Sequence, residues 1–247
     1  MVWLLPWDED THVRHMPWAT WSLVAFNVLA FALMLGASDT DAWIDRFGMA
    51  PATAQWWQYM TANFVHGSPM HLIGNMLFLI VFGDNIEDAF GPVPFLLLYF
   101  AGGLAGDLFV NSSNAAMTIP SIGASGCIAT LAGAYLVLYF TSTIGVRVMF
   151  LVFTMHTFHF RAPWVLLFWF GYDLYLTFSR HGVLDVGEGG GVNFVSHGMG
   201  FAVGVFVAIY ARLYGVMRRY DKLSEGSTLL GYWPTHLEYA RPRRPRR

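Results

Sequence analysis

Gly123-Ala124-Ser125-Gly126 opens one very apolar stretch, residues 122–141, and Ser196-His197-Gly198-Met199-Gly200-Phe201-Ala202-Val203-Gly204 opens another, Phe194–Tyr214. Water and unpaired polar groups are scarce in a bilayer. A hydroxyl and an imidazole a few residues inside two candidate crossings therefore call for a reason. The glycines around them supply part of it. Gly200-x-x-x-Gly204 is a small-residue spacing that lets helix backbones approach closely, and Gly123 and Gly126 flank the serine. The alternative is ordinary small-residue packing, with Ser125 bonded to a carbonyl one turn back; the histidine at matching depth weighs against it.

Composition sets the class. Of the 247 residues 55% are hydrophobic and only 12% charged, and the chain carries 10 Trp, 11 Tyr and 21 Phe. Mean hydropathy is +0.46. A soluble domain could not hide so much apolar surface, so the expectation is an all-α, multi-pass membrane protein. The single Cys127 excludes an intrachain disulfide and a cysteine-based zinc cluster. Asp8-Glu9-Asp10 interrupts the first segment before an apolar core of signal-peptide length forms, so the first span is expected to act as the targeting signal.

Six spans are expected: Trp18–Leu35, about 70–82, 93–110, 122–141, 162–178 and Phe194–Tyr214. The second is short for a crossing and carries His71 and Asn75 near its start. An even number of spans puts both termini on one side with the loops 83–92 and 142–161. Every Lys and Arg except Arg46 and Arg180 then falls on that side, which the positive-inside rule makes cytoplasmic. The division expected is 1–17 as a cytoplasmic segment, 18–214 as a six-span core and 215–247 as a basic cytoplasmic tail. The tail is read as a topology determinant in preference to a headgroup-binding element. The apolar run 148–160 is too short to cross and is expected along the cytoplasmic interface. The loop 36–69, with Trp56, Trp57, Tyr59 and Phe64, is expected in the interfacial zone. No internal repeat is evident, which weighs against a duplicated transporter.

Depth arithmetic brings the polar residues together. At 1.5 Å per residue, Ser125 and His197 each lie roughly 5 Å below the starts of spans four and six. Even-numbered spans descend from the extracytoplasmic face, so the two share a layer. A serine hydroxyl is a poor nucleophile until a base takes its proton, and neutral imidazole is the usual base. His71 and Asn75, at i and i+4, lie on one face of span two in the same layer. An Asn amide, an imidazole and the Ser125 backbone N–H are the kinds of donor that stabilise the oxyanion of acyl transfer. Alone, His71 and Asn75 also suit interhelical hydrogen-bond glue.

His71–Leu79 (HLIGNMLFL), Gly123–Gly126 (GASG) and Ser196–Gly204 (SHGMGFAVG), with Phe82-Gly83-Asp84-Asn85, resemble the rhomboid intramembrane serine proteases in order, spacing and span from about residue 18 to 214. The resemblance implies a six-transmembrane-helix bundle with Ser125 as nucleophile and His197 as general base. It also implies an oxyanion site of His71, Asn75 and the Ser125 backbone N–H. Gly123, Gly126, Gly200 and Gly204 would then provide the close packing around the site. Three positions depart from the family's frequent pattern: Gln58 follows Trp57 where Arg is common, Ala129 stands where an aromatic often stacks on the histidine, and Ser196 replaces an Ala. No reacting group is missing.

The function expected is intramembrane endopeptidase, needing no cofactor and no metal. Its partners would be transmembrane protein substrates and the lipid bilayer, not nucleic acid. The location expected is a bacterial or archaeal plasma (inner) membrane, with the site open to the extracytoplasmic side. Loops 36–69 and 182–193 would flank the opening, the second acting as a gate. The alternative is a non-proteolytic relative that binds or chaperones client helices, and a pure binder need not keep Ser125 and His197. Among other polar residues, Asp107 and Asp173 sit inside spans where a carboxylate is costly. Either is able to orient a histidine, although a structural or interfacial role is preferred. His156 and His159 lack further ligands and are read as interfacial, and His66 as a neighbour of the site.

Overall fold

The computed structural model describes residues 2–8, 13, 16–150, 153–180 and 194–214. Six long helices form the bundle: α1 (Trp18–Leu35), α4 (Pro69–Phe90), α5 (Pro92–Ser113), α6 (Ser125–Leu138), α7 (Ala162–Arg180) and α8 (Phe194–Tyr214). Two short helices, α2 (Thr40–Phe47) and α3 (Gln58–Thr61), lie between α1 and α4. The helices α1, α4, α5 and α8 are long and apolar enough to cross a bilayer, while α6 and the first part of α7 are shorter apolar helices. Leu97, Phe168, Phe206 and Leu213 stand exposed on the outside of the bundle. Such an apolar exterior is what a hydrocarbon environment requires.

The second span is longer than expected. It runs 22 residues to Phe90, and no loop begins at Gly83. Gly83 is there for contact with α1, since a Cβ at this position would stand 2.9 Å from the Thr20 methyl carbon. The chain turns at Gly91 alone, whose φ of 84° is in the left-handed region, and Pro92 starts α5. The beginning of α1 is completed from a distance. Pro17 gives no side-chain cap. Instead the buried Glu87 carboxylate accepts the backbone N–H of Ala19 at 2.9 Å, that of Thr20 at 2.7 Å and the Thr20 hydroxyl at 2.8 Å. Those backbone donors have no partner within their own helix.

α6 is the centre of the bundle, buried at every residue from Gly126 to Tyr135. With 14 residues it is about 21 Å long, short of the hydrocarbon thickness. It needs no greater length, because irregular backbone at depth is tolerated where protein encloses it or a cavity borders it. Its seam with α8 is backbone against backbone. A Cβ on Gly200 would collide with the Gly126 carbonyl, one on Gly204 with the Thr130 carbonyl and one on Gly133 with the Phe201 carbonyl. On the α5 side Gly102 makes the same room for the Thr130 side chain.

The run 148–160 does not form one interfacial segment. It belongs to a hairpin of β2 (Thr143–Phe150) and β3 (Phe153–Arg161), which β1 (Val2–Asp8) extends into an antiparallel sheet of order β1-β2-β3. Residues 2–8 of the expected cytoplasmic segment are thus one of its strands. Most apolar residues of 143–161 are β-branched or aromatic, which favours strands over a helix. Pro6, which has no N–H, lies on the edge strand.

Candidate active site

Ser125 is the first residue of α6, not a residue three positions into it. The reason lies just before it. Gly123 has φ 109°, a left-handed conformation that ends any helical path from Ile122. The loop then holds this approach in place. The Gly123 N–H donates to the Ala62 carbonyl at 2.9 Å, and Met49 and Ser121 exchange backbone hydrogen bonds at 3.1 and 2.9 Å. Gln58 ties the same loop together. Its Oε1 accepts from the Gln55 N–H at 2.8 Å, and its Nε2 donates to the Asp45 and Arg46 carbonyls at 3.2 and 3.1 Å. Trp56 is 81% exposed and makes its ring contact with Trp57, edge-on at 5.8 Å.

His197, in the first turn of α8, lies with Nε2 2.7 Å from the Ser125 Oγ. Both sit at the start of the close seam between α6 and α8. Ser196 occupies a slot made by two glycines, for a Cβ on Gly106 would collide with its hydroxyl and one on Gly126 would come within 3.0 Å of it. Ala129 leaves no ring from α6 to lie against the imidazole. Trp169 of α7 takes that place, stacking on His197 with centroids 6.2 Å apart and planes at 28°. Trp169 in turn stacks on Phe78 of α4 at 5.6 Å. Nothing in the sequence singles out Trp169, which is one aromatic among several in its span.

His71 and Asn75 meet the approach to Ser125 from the other side. A Cβ on Gly123 would stand 2.8 Å from the His71 ring and 3.4 Å from the Asn75 Nδ2. That Nδ2 is buried without a hydrogen-bond partner. An amide donor left unmade in this way costs free energy unless something transient uses it. His66 packs edge-on against His71 with centroids 5.0 Å apart, and neither of its buried ring nitrogens has a partner. Burial, reinforced by the charge of His71 and opposed by the Phe64 carbonyl, holds the His66 imidazole down at about 4, so it stays neutral.

A cavity of about 510 Å³ opens on the pair, bordered by His71, Asp107, Ser125, Ser196 and His197. Asp107 thus shares a cavity with the histidine, although no hydrogen bond joins the two among the described residues. The Asp173 side chain and the glycine-rich residues 181–193 lie outside what is described. His156 and His159 are exposed and, three apart on β3, point to opposite faces of the sheet, which prevents them from sharing one ion.

The Rhomboid domain pattern matches residues 53–214 of the chain. The chain is 29% identical over 141 residues to "Putative rhomboid protease YdcA" of Bacillus subtilis, covering 55% of this chain and 70% of that protein. It is 30% identical over 149 residues to "Rhomboid protease GluP" of the same organism, covering 55% and 29%. Against human "Rhomboid-related protein 3" the identity is 29% over 176 residues, covering 71% and 40%. The chain therefore spans well under half of these last two relatives.

Proposed function

The chain belongs to the rhomboid family, and on that premise we propose that it is a serine endopeptidase that cleaves other membrane proteins in or near their transmembrane segments. The observation that carries this is the 2.7 Å contact between the Ser125 Oγ and the His197 Nε2. With the imidazole neutral and its proton on Nδ1, Nε2 takes the hydroxyl proton as Oγ attacks the scissile carbonyl carbon. The oxyanion that forms is met by the Ser125 backbone N–H, the Asn75 amide and the His71 ring. The α6 N-terminus adds its positive end. The intermediate collapses to an acyl-enzyme as His197 returns the proton to the departing amine. Water then repeats the sequence on the ester, releasing the acid and regenerating Ser125. The packing contacts of Gly126, Gly200 and Gly204, with Gly123 beside His71, fix the geometry this chemistry needs.

The distribution of Lys and Arg supports termini in the cytoplasm of a plasma membrane and a site open to the other side. The reading of a helix-binding, non-proteolytic relative leaves the Ser125–His197 contact without a purpose. Protein reconstituted in liposomes with a generic transmembrane substrate tests the proposal. Cleavage is expected from wild type, and only background from Ser125→Ala. A fluorophosphonate probe is expected to label wild type at Ser125. Cleavage that persists in Ser125→Ala, or its absence in a folded wild type, would overturn the assignment.

A further inference from the structure

Asp107 is a carboxylate inside a membrane-spanning helix, 6% exposed, with what exposure it has opening on the catalytic cavity. Carboxylates at such depth are rare and costly, and are normally paired. Asp107 has neither a hydrogen-bond nor an ion-pair partner among the described residues. Its neighbours are occupied elsewhere. The Asn63 Oδ1 accepts the Cys127 S–H at 3.1 Å, and the Asn63 Nδ2 donates to the Tyr59 carbonyl at 2.9 Å. The Tyr59 hydroxyl oxygen accepts the Asn111 amide at 2.6 Å. The Tyr59 phenol is pushed up by burial and then by the negative charge of Asp107, which places the carboxyl close to it. Among the described residues no Lys or Arg borders the cavity. Met117, Ile119, Pro120 and Ile122 give the cavity apolar lining, with Ser121 among them.

A cavity with apolar residues on its border and a carboxylate that no described residue answers selects a guest that brings a donor. We infer that Asp107 is a specificity residue, accepting a hydrogen bond from a hydroxyl or ammonium side chain of the substrate within two residues of the scissile bond. This rests on the protease reading and names the substrate class for the same site. Satisfying a buried acceptor that is otherwise left unmade discriminates strongly against guests lacking the donor. The expected preference is about 10-fold, within the cost of leaving one buried acceptor unmade.

The test is a set of transmembrane substrates carrying Ser, Lys or Ala at each of the four positions flanking the cut, assayed with the full chain in liposomes. Wild type is expected to favour Ser or Lys over Ala at one position by about 10-fold in kcat/KM. In Asp107→Ala that ratio is expected to fall towards one. The isosteric Asp107→Asn keeps an acceptor without the charge, so it should retain a hydroxyl preference and lose an ammonium preference. This variant carries the test if Asp107→Ala does not fold. A wild type with no preference at any position, or ratios unchanged in both variants, overturns the inference while cleavage by Ser125 stands. A wild type whose cleavage does not depend on Ser125 removes the protease reading and this inference with it.

Discussion

On its α6 side, α8 lies backbone to backbone, with Gly200 against the Gly126 carbonyl and Gly204 against the Thr130 carbonyl. On its α7 side the contact is ring against ring: Phe170 stacks on Phe201 at 4.7 Å and 15°, and Trp169 on His197. The first kind of seam has no give, because a carbonyl cannot move aside as a rotamer can. The second can repack, since aromatic pairs hold their attraction over a range of offsets. Ser125 and His197 are therefore set relative to each other by the rigid seam. The ring seam sets only how the imidazole is supported.

This contrast orders the expected effects of substitution. Gly204→Val places carbons where the Thr130 carbonyl sits, and the collision has no side-chain relief. It should cost at least about 3 kcal/mol, the upper end for overpacking, and remove activity along with the folded fraction. Thermal unfolding in detergent beside a cleavage assay checks this, and a normal Tm would break the rigid-seam account. Asn75→Ala removes the orphaned amide without touching either seam. It should lower kcat by about 10²–10³ while leaving Tm nearly unchanged, as for loss of one oxyanion donor. An equal loss of stability would make Asn75 structural glue instead. Trp169→Leu loosens only the ring seam, and a drop of about 10-fold in kcat is expected, corresponding to about 1.4 kcal/mol of imidazole support. An effect as large as that of Asn75→Ala would mean that both seams position the histidine.

A last effect, small near neutrality, is on pH response. Folded His66 holds its proton only below about 4, whereas a free imidazole does so below about 6.5. The unfolded chain therefore binds the proton first as pH falls. The stability that neutral His66 contributes is full above pH 6.5 and lost progressively from there towards pH 4. Tm measured across that window should fall less steeply in His66→Phe than in wild type. Identical slopes would show that the acid sensitivity lies elsewhere.

Much of this arrangement could be read from the chain before its folding. Ser125 and His197 stand at the heads of apolar stretches with small residues beside them, although α6 begins only at Ser125 and the assumed three-residue offset does not exist there. What could not be read depends on contacts between distant segments. The start of α6 is fixed by Gly123 bonding to Ala62, which lies on the far side of two whole helices in the chain. Gly83 resembles a helix terminator until Thr20 is packed beside it. The strands β2 and β3 together have the hydropathy of a buried helix. Only their β-branched and aromatic content and their pairing with β1 separate the two. Trp169 has no local mark at all, because its importance comes from a histidine on another helix.

Glu87 carries a consequence for synthesis. The amino-terminal helix emerges from the ribosome with its leading turn open, and the carboxylate that closes it lies 67 and 68 positions downstream of Thr20 and Ala19. Until α4 has been made and inserted alongside, the Ala19 and Thr20 N–H groups of α1 lack the carboxylate that meets them. The first span to be translated is thus capped only once the second has followed it.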